Sequence, residues 1–440
     1  MKKLILLLFA TFLFSKSITI YNNNLAYINS SKEYNLSKGL QEIKFSNLPD
    51  SLIADSIFAE FNSSYVNIIS QNFYKSNFNL SSILKANLNK EVEFFTKDKK
   101  RLSGKLISIN PNIIKSSDKY YTVSSQDIIF TTLLNINKKP YLKWQVLATK
   151  DIKSTLNTDY LIIGISWKAN YVVKLKKDSL ILKAWAKIDN KTNKEFKDIN
   201  CSLVAGDLNP VQNINRRYYS RAVKKLSSKV ISIDKGIKAN SLSGYYIYHI
   251  PFKVSIRANE QKEFLLINAK DVKYKKYAVA NSRYFAQNGN EKLIFNQVIE
   301  FLNSKSNNLA KPLPAGVVRA YTNGAYIGSN RIKNIAKNEL VKLNIGRFFD
   351  VIGEKRVVKY ISKPKYKNFK TSYTLKNRSK EEMILKLKEN IPKYGNKVDF
   401  KTSCSKICTY KNLNAYTREF SIKLKPNQVY TFTTEYEIYF

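Results

Sequence analysis

LIIGISWKANYVVKLKKDSLILKAWAKIDNKTNKEFKDINCSLVAGD, residues 161–207, is the stretch whose reading decides the fold. It holds three runs of strand-forming residues, each closed by turn residues. In YVVKLKK, SLILKAWAKI and CSLVAGD apolar and polar residues alternate, the period of a half-buried strand. Trp167, Tyr171 and Trp185 supply large aromatic anchors, read as core residues rather than as platforms for sugars. The same pattern runs through the rest of the chain. It predicts an all-β protein of Ig-like β-sandwich domains.

Composition agrees. The 440 residues include 29 Tyr and 24 Phe but only 13 Gly and 10 Pro, a balance that favours strands. The length fits two to three domains, each able to bury a core without disulfides. The formal net charge is +42. One reading is an anionic partner; the other is a Lys- and Asn-rich composition with lysines scattered everywhere. His249 is the only histidine. Histidine-based metal sites need several such ligands at fixed spacing, and a Ser-His or Cys-His pair could use this residue alone. It lies in YYIYHIPF, a strand-like aromatic run, and is read as structural. No Gly-rich nucleotide loop, zinc-protease helix motif or calcium loop is found, and no cofactor or metal site is expected.

The chain opens with MKKLILLLFATFLFSKS, a charged start and an apolar run of signal-peptide length, with Ser15 and Ser17 as small residues before a cut after residue 17. Export to the periplasm or cell surface is the expectation. The anionic partners then become envelope polymers, another envelope protein or a peripheral contact with lipid headgroups, and nucleic acid is set aside.

Residues 18–85 read as an N-terminal β region. Residues 86–135 hold about five short strands between Lys-, Asn- and Ser-rich turns, the pattern of a small SH3-like or Sm-like barrel. Residues 141–300 and 301–440 read as two β-sandwich halves, with Lys292 to Asn303 as one strand. NINRRYYSRAVKKLSS breaks the strand pattern. Its Arg216, Arg217, Arg221, Lys224 and Lys225 are the candidate polyanion contacts, since guanidinium forks match phosphate and carboxylate. The competing reading is a solvated connection between strands.

Gly164–Ile165–Ser166–Trp167 with Tyr171, Trp185–Ala186 with Asp189–Asn190, Phe196 and Leu203–Val204–Ala205–Gly206–Asp207 carry a likeness, continued by Lys311–Pro312–Leu313–Pro314–Ala315–Gly316 with Arg319, Tyr321, Gly346 and Asp350–Val351. In these motifs the region 141–440 resembles the bacterial domain of unknown function 4139, some relatives of which are named mucoidy inhibitors. The resemblance implies a β-rich fold and an envelope setting, and no catalytic residue. Many relatives carry a coiled coil before this domain, where this chain has its small barrel-like module.

Cys404 and Cys408 are spaced for a local disulfide at a hairpin tip in an oxidising compartment, and Cys201 reads as a buried free thiol. Glu33–Ser37 and Glu60–Ser64 match an acidic form of the N-glycosylation sequon. The last strand alternates from Tyr430 to Phe440. It is read as the edge of a sandwich, with an outer-membrane barrel as the alternative. The functional expectation is a non-catalytic envelope protein that binds or supports anionic polymer, with an envelope-glycan hydrolase as the enzymatic alternative.

Overall fold

The computed structural model describes residues 16–46, 48–130, 139–206, 238–242, 245–282, 289–390 and 395–440, with backbone only for 238–242. Strands dominate these residues, in several sheets, so the chain is all-β and sandwich-like. It forms two compact units interleaved in sequence. One holds residues up to Trp167 and Ile188–Lys262; the other holds Lys168–Lys187 and Glu263–Phe440. Consecutive halves meeting at residue 300 were expected. The interleaving has a pairing cause: the second half of strand Ile165–Leu175 runs parallel to Gly316–Thr322, with Ala169 against Gly316 and Val172 against Arg319.

In the first unit, strand Lys16–Tyr21 lies inside an eight-stranded sheet, antiparallel to Leu25–Leu36 and parallel to Phe196–Ala205. Residues 1–15 of the expected leader lie outside the described residues, while Lys16 and Ser17 begin this strand. Ile18, Ile20, Ile28 and Leu203 fill its inner face, and Cys201 is buried beside them as a free thiol. Trp167 is fully buried, and its indole N–H donates to the Val204 carbonyl at 2.9 Å. Gly206 of the Leu-Val-Ala-Gly motif is where the Tyr245 ring packs; a Cβ there would lie 2.4 Å from it. A second sheet sets Tyr141–Ala148 between Gly39–Phe45 and Val66–Tyr74. Its Trp144, which the sequence reading did not single out, is fully buried and donates to Gln71 at 2.7 Å.

The small module has the five strands expected, hydrogen-bonded as a meander whose last strand, Ile128–Ile129, returns to pair with the first, Glu91–Phe95. Helix Leu80–Asn87 precedes it, at the end of the region 18–85 that was expected to be β. Asn79 caps the helix by accepting from the Ser82 N–H at 2.9 Å. Leu84 packs on Val92, Phe94, Leu106 and Ile114.

In the second unit, a six-stranded sheet and a five-stranded sheet face each other. Ala280, Leu385, Leu387, Phe420 and Ile422 of one meet Leu293, Tyr373, Leu375 and Phe432 of the other. The C-terminal strand Val429–Tyr439 is part of this sandwich, paired with Tyr366–Asn377 and Lys397–Thr402. Its Phe432, Thr434, Tyr436 and Ile438 point into protein. Lys292 to Asn303 is two strands, Asn290–Leu293 and Asn296–Leu302, split between the two sheets. Cys404 and Cys408 form a disulfide. Their segment is a crossover and not a hairpin tip: Lys397–Thr402 pairs in one sheet and Cys408–Asn414 in the other.

Candidate functional site

The third sheet of the second unit includes Ser179–Asn190, Ile165–Leu175, Gly316–Thr322 and Ala325–Ile332 as neighbours in that order. Alternation sends Leu180, Leu182, Ala184 and Ala186 inward with Ala169, Tyr171, Val173, Val318 and Ala320. Tyr171 is fully buried, and its hydroxyl donates to the Pro314 carbonyl at 2.6 Å. Gly316 lets the parallel strand close in, because a Cβ there would lie 2.2 Å from the Ala169 carbonyl. The Pro-Leu-Pro-Ala-Gly segment is therefore a clamp on the strand that carries Tyr171.

The same alternation puts Lys183, Trp185 and Lys187 outward on one strand and Lys168, Asn170, Val172 and Lys174 outward on the next. Arg319 and Tyr321 follow, then Tyr326 and Arg331. The register sets Val172 against Arg319, Lys174 against Tyr321, and Val317 against Arg331. Lys168, Lys174, Lys183, Arg319 and Arg331 are exposed; Lys187 and Trp185 are half-buried. Among the described residues none of these six cations has a carboxylate partner. Within 168–187 and 316–332 the one acidic residue is Asp178, in the turn. Six like charges on one face create a positive field that attracts polyanions; the acidic residue on the same side of the Trp185 strand, Asp189, is already paired with Lys191 at 3.8 Å. Trp185 is corrected from core anchor to outward residue: the core takes even-numbered side chains on its strand, and 185 is odd.

Other clusters carry less. A cleft of about 580 Å³ in the same unit is lined by Lys176, Lys177, Asp178, Tyr274, Lys276 and Glu381, among others. Its charges are mutually matched: Lys276 approaches Glu381 at 3.4 Å, Lys176 approaches Asp271 at 3.4 Å, and Tyr274 donates to the Lys176 carbonyl at 2.8 Å. Burial, then Glu381 and Asp178, hold the Tyr274 hydroxyl above its ordinary range. In the first unit Lys194 is pushed down to about 8 by burial and by Lys16 and Lys139.

His249 Nδ1 lies 2.9 Å from Ser202 Oγ, its cross-strand partner. In a Ser-His-Asp triad the serine meets Nε2 and a carboxylate orients Nδ1. Here the serine occupies Nδ1, and among the described residues no carboxylate hydrogen-bonds the ring. No group of three or more His, Cys, Asp or Glu residues is placed to hold a metal among the described residues.

Arg216, Arg217, Arg221, Lys224 and Lys225, the expected polyanion contacts, lie outside the described residues, as does Asp207. Arg319 takes the exposed-face alternative rather than a charge pair. Of the sequon asparagines, Asn62 is engaged, accepting from Ser154 at 2.8 Å and from the Thr155 N–H at 3.0 Å, and Asn35 lies in a paired strand. The basic face was missed by the sequence reading, although Lys183-x-Trp185-x-Lys187 was its visible signal. No model of a known protein family matches the chain, and no curated protein matches it.

Proposed function

We propose that this chain is an exported cell-envelope protein that holds anionic envelope polymer without catalysing a reaction. The observation that carries the reading is the outward face of Lys168–Lys187 and Gly316–Ile332, which presents six cations that have no carboxylate partner among the described residues. The leader-like opening supports export, and so does the Cys404–Cys408 disulfide, a bond that persists in oxidising compartments. The motifs that resemble those of the domain of unknown function 4139 point to the same envelope setting.

Exposed cations bind weakly one by one and are screened by salt, so retention on the envelope is expected to be salt-labile. Washing the envelope fraction with rising salt should release the protein before detergent does. Retention through high salt, with release only in detergent, would overturn the electrostatic reading and point to apolar anchoring in the membrane.

A further inference from the structure

The basic face differs from a scattered lysine surface in one respect: it has an aromatic centre. Trp185 lies between Lys183 and Lys187 on the same side of its strand. Side chains two apart on a strand repeat at roughly 7 Å, so the two ammonium groups root roughly 13 Å apart with the indole between them. The next two strands carry Lys168, Lys174 and Arg319 on the same outward side, and Tyr321 packs edge-on to Tyr326 at 5.6 Å as a second aromatic station. Trp185 makes no ring or hydrogen-bond contact of its own among the described residues.

We infer that this face is a binding site for an acidic polysaccharide laid across the sheet, with Trp185 stacking on a sugar ring while the flanking cations meet its carboxylates. The inference rests on the polyanion reading above and names its site and ligand class. The chemistry has two parts. The negative face of the indole attracts the C–H groups on one side of a saturated sugar ring. The lysines and Arg319 supply charge on both sides of that stack. A lipid surface fits less well. The aliphatic residues Val172, Ile181 and Val317 of this face are half-buried, and its most exposed ring, Tyr326, carries a polar hydroxyl.

The test measures binding of the full chain to alginate, to neutral dextran and to vesicles containing phosphatidylglycerol, at low and moderate salt. The variants are Trp185→Ala and the pair Lys183→Gln with Lys187→Gln. All three positions point outward, so an unchanged thermal midpoint verifies the fold. Alginate binding that exceeds dextran binding and falls roughly fivefold with Trp185→Ala, and by a similar factor with the double variant, supports the inference. Tight alginate binding that neither variant alters overturns the site and leaves the polyanion reading standing. Vesicle binding that the variants weaken while alginate is ignored overturns the glycan assignment in favour of lipid. Failure of the unaltered chain to bind any polyanion overturns both.

Discussion

Glu389 is 5% exposed, yet both its carboxylate oxygens are occupied. Oε1 accepts from the Tyr373 hydroxyl at 2.7 Å and from Thr434 at 2.8 Å; Oε2 accepts from the Tyr436 hydroxyl at 2.6 Å. Arg418, the cross-strand partner, donates to Tyr436 at 3.1 Å, and Ser282 meets Tyr373 at 2.9 Å. Lys355, itself buried, pairs with Glu291 at 3.8 Å and adds positive potential. Burial raises the Glu389 carboxyl above its ordinary range, although the three hydroxyls and Arg418 pull the other way. A raised folded-state value means the native state holds the proton more tightly than the unfolded chain. The stability this contributes is complete below the unfolded value, about 4.3, and drains away as pH rises through the folded value. Glu389→Gln should remove that slope. It should also cost about 1–3 kcal/mol at neutral pH, because an amide cannot accept from all three hydroxyls. Urea melts of both proteins from acid to neutral pH measure this, and parallel stability curves would show that Glu389 titrates alike in both states.

Among the elements, the crossover between Lys397–Thr402 and Cys408–Asn414 is the place where the chain passes from one face of the sandwich to the other, and Cys404–Cys408 ties it. The remaining thiol, Cys201, is pushed up to about 12 by burial within strand Phe196–Ala205. Alkylation should therefore modify no cysteine in the native protein, Cys201 alone in denaturant, and all three only after reduction. Three reactive thiols without reductant would remove the disulfide and the compartment argument built on it. Opening the bond with Cys404→Ser and Cys408→Ser should cost about 2 kcal/mol, the scale for closing a short loop. The spacing of these cysteines was legible in the sequence, and so were the strand-rich character and the five-stranded module. Their place on a crossover was not, because strand partners are chosen across long separations: Lys397 pairs with Tyr439, and Ala169 with Gly316. The parity of Trp185 was readable from alternation, but its anchor role was inferred from size alone. The Glu389 cluster gave no sequence signal, since Ser282, Tyr373, Arg418 and Tyr436 each come from a different strand.

For the whole molecule, the excess of positive charge acts in two opposed ways, and salt separates them. A formal net charge of +42 repels itself in the folded state, which is more compact than the unfolded chain. Ion pairs such as Lys143–Glu42 at 2.7 Å and Lys423–Glu382 at 2.7 Å offset this locally, but both are exposed at the surface and worth little each. The screening length falls from about 30 Å in 0.01 M salt to about 10 Å in 0.1 M. Over that range the long-range repulsion should fade faster than the short contacts, and the thermal midpoint should rise by about 2–4 °C for each kcal/mol relieved. Retention on anionic polymer should fall over the same range. Polymer at low salt should itself raise the midpoint, since it binds the folded chain and so stabilises it. Calorimetry across a salt series, with and without alginate, reads all three effects. A midpoint that falls with salt, and that alginate leaves unmoved, would mean that local ion pairs outweigh the net charge. The lysines would then be a feature of composition and not of binding.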